Sequence, residues 1–363
     1  MNFIKGMDIS IFKELDHLGG KFYNRGKEEP LLKILKYYDI NSIRLRLWVN
    51  PYDEEGNPYG GGTNDLETTI ELAKLIKESN MSFVLDIHYS DFWTDPGKQI
   101  KPREWASIFG EALIDKVYTY TFEVISRLKE EKLIPTMVQV GNEITNGMLW
   151  GDGKLPNYEM LSKLLKSGVK AIKDVLVNNE PKIILHLDNG GNNLQFVNWF
   201  SEMDSYNVPY DIIGLSYYPV WHGTLQELDY NLNDISTRFN KEVLVVETSY
   251  GFTTNNFGNE GMIFTEELAK QTPYQPNKEG QAQFLHDLLE VISKVKNNKG
   301  IGFFYWEPAW IPVEGSTWAT EAGRKYIGDN SLGGNAWANQ ALFDFEGNAL
   351  PALETIKNFK ASK

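Results

Sequence analysis

The chain has 363 residues, of which 42% are hydrophobic and 13% aromatic, enough apolar side chain for a large packed core and too much for a disordered polymer. Its 49 acidic residues outnumber 36 basic ones, for a net charge of −13; such a surface repels phosphate backbones and polyanionic sugars, so no nucleic-acid partner is expected and a neutral substrate fits better. The absence of cysteine excludes disulfides and thiolate metal sites, and no run of about 18 apolar residues offers a membrane span.

Along the chain, short β-rich runs fall at 3–8, 42–48, 82–88, 136–141, 182–188, 212–217, 243–247 and 301–306. Those at 212–215 and 243–246 are apolar or glycine throughout. A strand apolar on both faces is buried on both faces, as in a parallel sheet covered by helices. Apolar residues at i, i+3, i+4 spacing predict helices over 31–37, 66–77, 105–129, 158–177, 225–239 and 281–295, with Asp65 and Asn157 as N-cap residues. Eight strands alternating with helices predict a closed (β/α)8 TIM barrel, a single α/β domain over 1–363. The alternative, a doubly wound open sheet, would carry a glycine-rich phosphate turn after its first strand, and Met7-Asp8-Ile9-Ser10 is not one. The longest loops are 50–64, 249–279 and 307–348; the last two follow the seventh and eighth strands, and loops of that length in a compact domain are usually functional or mobile.

Barrel enzymes place their chemistry where strands end at the C-terminal face. The predicted strands end in Asp8, Arg44 with Arg46, Asp86 with His88, Asn142 with Glu143, His186 with Asp188, Tyr217, Glu247 and Trp306. Carboxylates, amides, imidazoles and aromatic faces suit a sugar cleft. Glu143 and Glu247 follow the fourth and seventh strands, which face each other across a barrel mouth. Retaining glycoside hydrolysis needs two carboxyls about 5–5.5 Å apart, one protonated and one ionised. Arg44 and Arg46, two apart on one strand, point to one face and can hold the ionised carboxyl. Structural alternatives exist for each: a helix cap or ion pair for either Glu, a salt-bridge network for the arginines, satisfied core polar groups for His88, His186 and Asp188. A metal-dependent hydrolase built on those last three would usually carry His-x-His on its first strand, and this chain has none.

Read in order, Arg44-Leu45-Arg46-Leu47-Trp48, Asp86-Ile87-His88-Tyr89-Ser90-Asp91, Gly141-Asn142-Glu143-Ile144-Thr145-Asn146, Ser216-Tyr217-Tyr218-Pro219, Val246-Glu247-Thr248-Ser249 and Phe304-Tyr305-Trp306-Glu307-Pro308 resemble glycoside hydrolase family 53, the endo-β-1,4-galactanases. The resemblance spans essentially the whole chain. It implies endo-cleavage of the neutral polysaccharide galactan, the side chain of type I arabinogalactan, with retention; mannan, xylan or glucan is the alternative substrate. It implies Glu143 as acid/base and Glu247 as nucleophile, with Asn142 bonding the sugar 2-hydroxyl and Tyr217 as hydrogen-bond partner to the nucleophile. The remaining expected substrate contacts are Arg46, Asp86, His88, Trp93, Asp188, His222, Trp306 and Trp310. Bacterial relatives often carry calcium in the loop after strand seven. Here 252–260 offers amides and one Glu but no Asp, whereas calcium prefers several carboxylate oxygens. No cofactor is therefore expected to be required, and any calcium at Asn255 and Asn259 is expected to be weak. A monomer is expected. The resemblance implies extracellular action, with a secretion signal removed; the alternative is cytoplasmic.

Overall fold

The computed structural model describes residues 3–257 and 261–361. Eight parallel strands close into a barrel in sequence order: β1 (Ile4–Asp8), β2 (Ser42–Leu47), β3 (Ser82–Ile87), β4 (Met137–Val140), β5 (Lys182–Leu187), β6 (Ile212–Ser216), β7 (Glu242–Glu247) and β8 (Gly300–Trp306). β1 pairs with both β2 and β8, which closes the ring and leaves the barrel without an open edge. All eight lie where the sequence places them, with ends shifted by a residue or two.

The helices that cover the barrel are α1 (Leu31–Tyr37), α2 (Leu66–Glu78), α3 (Gly110–Glu130), α4 (Tyr158–Val175), α5 (Asn193–Ser205), α6 (Leu225–Arg238), α7 (Lys278–Ser293) and α8 (Pro351–Asn358). As expected, Asp65 caps α2 by accepting from Thr68 N–H at 2.8 Å, and Asn157 caps α4 by accepting from Met160 N–H at 3.2 Å. The helix expected from 105 starts later: Arg103–Trp105 form a separate 3-10 turn, and Phe109, at φ −139°, is extended before α3 begins. α5 and α8 extend the expected set. Both bury a helical stripe, Phe196, Trp199, Phe200 and Met203 in α5 and Ala352, Leu353 and Ile356 in α8.

Strand alternation sorts the barrel's side chains. One set faces the helices, for example Ile43, Leu45 and Leu47 of β2. The inward set fills the floor with Ile4, Val84, Met137, Ile184, Ile212, Leu244, Val246, Ile301 and Phe304. One irregularity matters for the mouth. β6 and β7 pair Leu215 with Val245 but Ser216 with Glu247, so Val246 is an extra residue in β7. This bulge places Glu247 opposite the inward-facing Ser216 and aims its carboxyl into the mouth.

Candidate active site

At the mouth the inward positions switch from apolar to charged. Arg44 of β2, 1% exposed, stands at the centre. Its Nη1 donates to Asp8 Oδ2 at 2.8 Å. Its Nη2 lies 2.8 Å from Asp86 Oδ2, 3.0 Å from Asn142 Oδ1 and 2.9 Å from Glu247 Oε1. Burial disfavours its charge, but Asp86, Glu247 and Asp8 outweigh that and hold the guanidinium more firmly protonated than usual. The other oxygen of Glu247 accepts from Tyr218 O–H at 3.0 Å. Burial pushes the Glu247 carboxyl up, to about 7; Arg44 opposes this, Asp86 and Asp8 add to it, and the Tyr218 bond opposes it.

Glu143 is held differently. Gly141, at φ +87°, turns the chain out of β4; a Cβ there would meet the Ile144 side chain at 2.7 Å. Two residues later Glu143 itself is left-handed, φ +46° and ψ +51°, a costly conformation for a residue with a Cβ. Its Oε1 accepts from Ser216 O–H at 2.6 Å, and its N–H donates to His186 Nδ1 at 3.3 Å. Burial raises its carboxyl well above the ordinary range, and the Glu247 charge raises it further; the Ser216 bond opposes both, while Asp188 and Asp95 add to them. Among the described residues no cation pairs with it as Arg44 pairs with Glu247. Of the two carboxyls, Glu247 is therefore the easier to ionise and Glu143 the better proton holder.

Both carboxyls line one cavity of about 780 Å³ together with Arg44, Arg46, His88, Trp93, Asn142, Tyr218, Trp306 and Trp310. Arg46 is paired with Glu307, donates to Gly61 O at 2.6 Å, and stacks with its guanidinium carbon 4.3 Å from the Trp93 ring centre. His88 is held by Asp86 Oδ2 at 2.9 Å and by Thr94 Oγ1 at 2.9 Å. Trp93 donates its indole N–H to Trp318 O at 2.9 Å, which sets the plane of the ring. Asn142 Nδ2 donates one hydrogen to Thr94 O at 2.9 Å, leaving a second free for a ligand.

Four expectations are corrected. Tyr217 is not the partner of Glu247: it lies on the outward face of β6, its O–H donates to Gly223 O at 2.9 Å and its ring faces Phe284 of α7. Tyr218, one residue on, takes the inward position. Asp86 is fully buried beneath Arg44 and His88, so it positions them rather than meeting a ligand. Asp188 is drawn aside by Thr145 Oγ1, at 2.5 Å, and by Gln195. His222 turns its Nδ1 to the backbone of Ser216 and Tyr218, 3.0 and 3.2 Å away. Neither Asp188 nor His222 lines the cavity. Asn259 lies outside the described residues. Asn255 has its N–H on Thr253 Oγ1 at 3.1 Å, and the described residues contain no group of three or more His, Cys, Asp or Glu arranged to hold a metal ion.

The cavity also takes Trp221, Trp318 and Trp337 into its wall. Trp221 lies just beyond the Ser216-Tyr217-Tyr218-Pro219 motif. Trp318 and Trp337 come from the loop after β8, whose length was the only sign that it carries binding residues.

A family model described as "Glycosyl hydrolase family 53" matches residues 4–356. An endo-beta-1,4-galactanase from Bacillus subtilis (strain 168) is 36% identical over 376 residues, covering 98% of this chain and 86% of the relative. The GH53 catalytic domain from Ignisphaera aggregans superposes with a TM-score of 0.92 at 39% identity, over 98% of this chain and 95% of that one. A fungal β-1,4-galactanase superposes with a TM-score of 0.81 at 30% identity, over 99% of this chain and 100% of the other. The chain is a glycoside hydrolase and belongs to glycosyl hydrolase family 53.

Proposed function

We propose that the protein is an endo-β-1,4-galactanase that cleaves galactan with retention, with Glu247 as nucleophile and Glu143 as acid/base. The observation that carries this reading is the asymmetry of the two carboxyls in one cavity: Glu247 bonded to a guanidinium and a phenol, Glu143 bonded to neither. In the first step Glu143 gives its proton to the leaving glycosidic oxygen while Glu247 attacks the anomeric carbon and forms a glycosyl ester. In the second, Glu143 takes a proton from water, which displaces Glu247 from the same carbon. Asn142, with Nδ2 oriented by Thr94, offers its free hydrogen to the sugar 2-hydroxyl. Trp93, Trp306 and Trp310 supply apolar faces for neutral pyranose rings. The choice of galactan among neutral β-1,4-glycans rests on relatives named as galactanases.

The cycle needs only side chains of one chain and a water molecule, so it calls for neither a second copy of the chain nor a metal. No described helix is long and apolar enough to cross a membrane. A polymeric substrate favours action outside the cell.

The test is a time course of products from linear β-1,4-galactan, run beside mannan, xylan and glucan. Early release of mixed oligosaccharides from galactan alone is expected. Preferential release from another of the glycans would overturn the substrate, and galactose as the sole early product would overturn the endo mode.

A further inference from the structure

We propose that His186 and Ser216 form a fixed relay that assigns the transferable proton of Glu143 to one particular oxygen, Oε2. The proposal rests on the acid/base reading of Glu143 and adds two positioning residues to it.

The argument starts from a backbone group, because a peptide N–H can only donate. The left-handed turn at Glu143 directs its N–H at His186 Nδ1, 3.3 Å away. A hydrogen on Nδ1 would collide with that donor, so Nδ1 carries a lone pair. Gln139 Nε2, 3.0 Å from the same atom, is a second donor, and Arg44 Nε donating to Gln139 Oε1 at 3.3 Å fixes which way that amide points. Asn142 Oδ1 also approaches Nδ1, at 3.1 Å, but a hydrogen aimed at it would set Nδ1–H against both the Glu143 N–H and the Gln139 amide. The neutral ring then holds its one hydrogen on Nε2. The ring is fully buried; burial, then the charge of Arg44, then His88 and His222, keep it from taking a second proton.

The rest follows from counting hydrogens. His186 Nε2–H lies 2.8 Å from Ser216 Oγ and donates to it. Ser216 has a single hydroxyl hydrogen, and Glu143 Oε1, 2.6 Å away, receives it. Oε1 is thus an acceptor whether Glu143 is ionised or protonated. The proton that Glu143 gains and loses sits on Oε2, which has no partner among the described residues and belongs to a side chain that lines the cavity. The same donor stabilises the ionised form needed to activate water. It works against burial and against Glu247, Asp188 and Asp95, the charged groups that face Glu143.

Two measurements test this. In protein labelled with 15N at its five histidines, with His186 assigned by comparison with His186→Gln, the ring is expected to be neutral with hydrogen on Nε2 at pH 7 and to stay so below the ordinary histidine value of about 6.5. Hydrogen on Nδ1 would overturn the relay, whatever any variant does. Ser216→Ala is expected to lower kcat/KM on galactan about tenfold through poorer placement of the proton. It should change kcat/KM by less than about twofold on a dinitrophenyl glycoside, whose leaving group needs no proton. Its alkaline limb should move up by about one pH unit, as loss of a donor to a carboxylate requires. Equal losses on both substrates with the limb unmoved would mark Ser216 as a packing residue and end the proposal. If Ser216→Ala does not fold, His186→Gln read on the same substrate pair decides the matter by the same criterion. Glu143→Gln on this pair separates the premises: equal losses there remove Glu143 as the acid, whereas a selective loss there beside an unselective Ser216→Ala removes only the relay.

Discussion

The floor and the mouth of this barrel are built from the same strands and are opposite in character. On the floor the inward residues are aliphatic or aromatic and need only fit. A few residues further along, the inward positions hold Asp8, Arg44, Arg46, Asp86, Gln139, His186, Ser216 and Glu247, all buried. Charges brought out of water are retained only when paired and hydrogen-bonded. At the mouth three carboxylates share one guanidinium, an arrangement that an apolar filling would match or exceed in stability. The floor is organised for burial, and the mouth sustains an electrostatic cost that function explains. If so, substitutions at the mouth should lower rates far more than stability, and those on the floor should do the reverse.

The largest effect expected at the mouth is from Glu247→Ala. It should reduce turnover of galactan by about 10⁴-fold or more, since removing a nucleophile removes the reaction path. Added azide should restore activity and give the inverted glycosyl azide; unimpaired turnover without azide would remove Glu247 as nucleophile. Glu143→Gln comes next, with a loss of about 10²–10⁴-fold on galactan and little change in glycosylation by activated aryl glycosides. The wild-type pH profile should be a bell. Its acid limb is the protonation of Glu247 and should lie above the ordinary Glu value of about 4.3, because burial raises that group. Its alkaline limb is the ionisation of Glu143, which is raised further. A flat rate from pH 4 to 9 would contradict the pairing.

The adjacent tyrosines give a smaller and sharper contrast. Tyr218→Phe removes a donor from the Glu247 carboxylate and should cost about 10–100-fold in kcat, the worth of a hydrogen bond to a charged group. Losing that donor also makes Glu247 harder to ionise, so the acid limb should move up. Tyr217→Phe should leave kcat and both limbs unchanged and cost about 1 kcal/mol of stability by freeing the carbonyl of Gly223. Equal kinetic effects from the two would mean that the alternation at the end of β6 does not separate the site from the outer layer.

That pair also marks how far the sequence could be read. Strand positions, the two glutamates and the paired arginines were legible because apolar runs and strand-end polarity are local signals. The assignment of Tyr217 failed by one residue because facing depends on the strand's phase, and a period of two sends neighbours to opposite faces. The bulge at Val246 was invisible for a related reason: an extra residue in β7 is defined only against its partner β6. Ser216 and His186 were separated by 30 residues and met only through the pairing of β5 with β6. Asp188 and His222 sit near strand ends as expected, but Thr145 and Gln195 hold Asp188 Oδ1, the backbone of Ser216 and Tyr218 holds His222 Nδ1, and neither residue lines the cavity. Strand-end position proposes a site residue; the hydrogen bonds already made decide whether it is free to act.

The smallest kinetic effect should come from the floor. Leu244 is fully buried there, beside Val246 and three residues below Glu247 on the same strand. Leu244→Ala removes apolar contacts and leaves a cavity, which typically costs about 2–5 kcal/mol of unfolding free energy. Denaturant unfolding should report that loss directly, at a temperature where the variant remains folded. At that temperature kcat on galactan and both limbs of the pH profile should stay within about twofold and a few tenths of a pH unit of the wild type, because no charge or donor near either carboxyl has moved. A loss in kcat of tenfold or more with the fold intact would mean that the floor sets the position of β7, and with it Glu247, so that packing and electrostatics in this barrel are not separable after all.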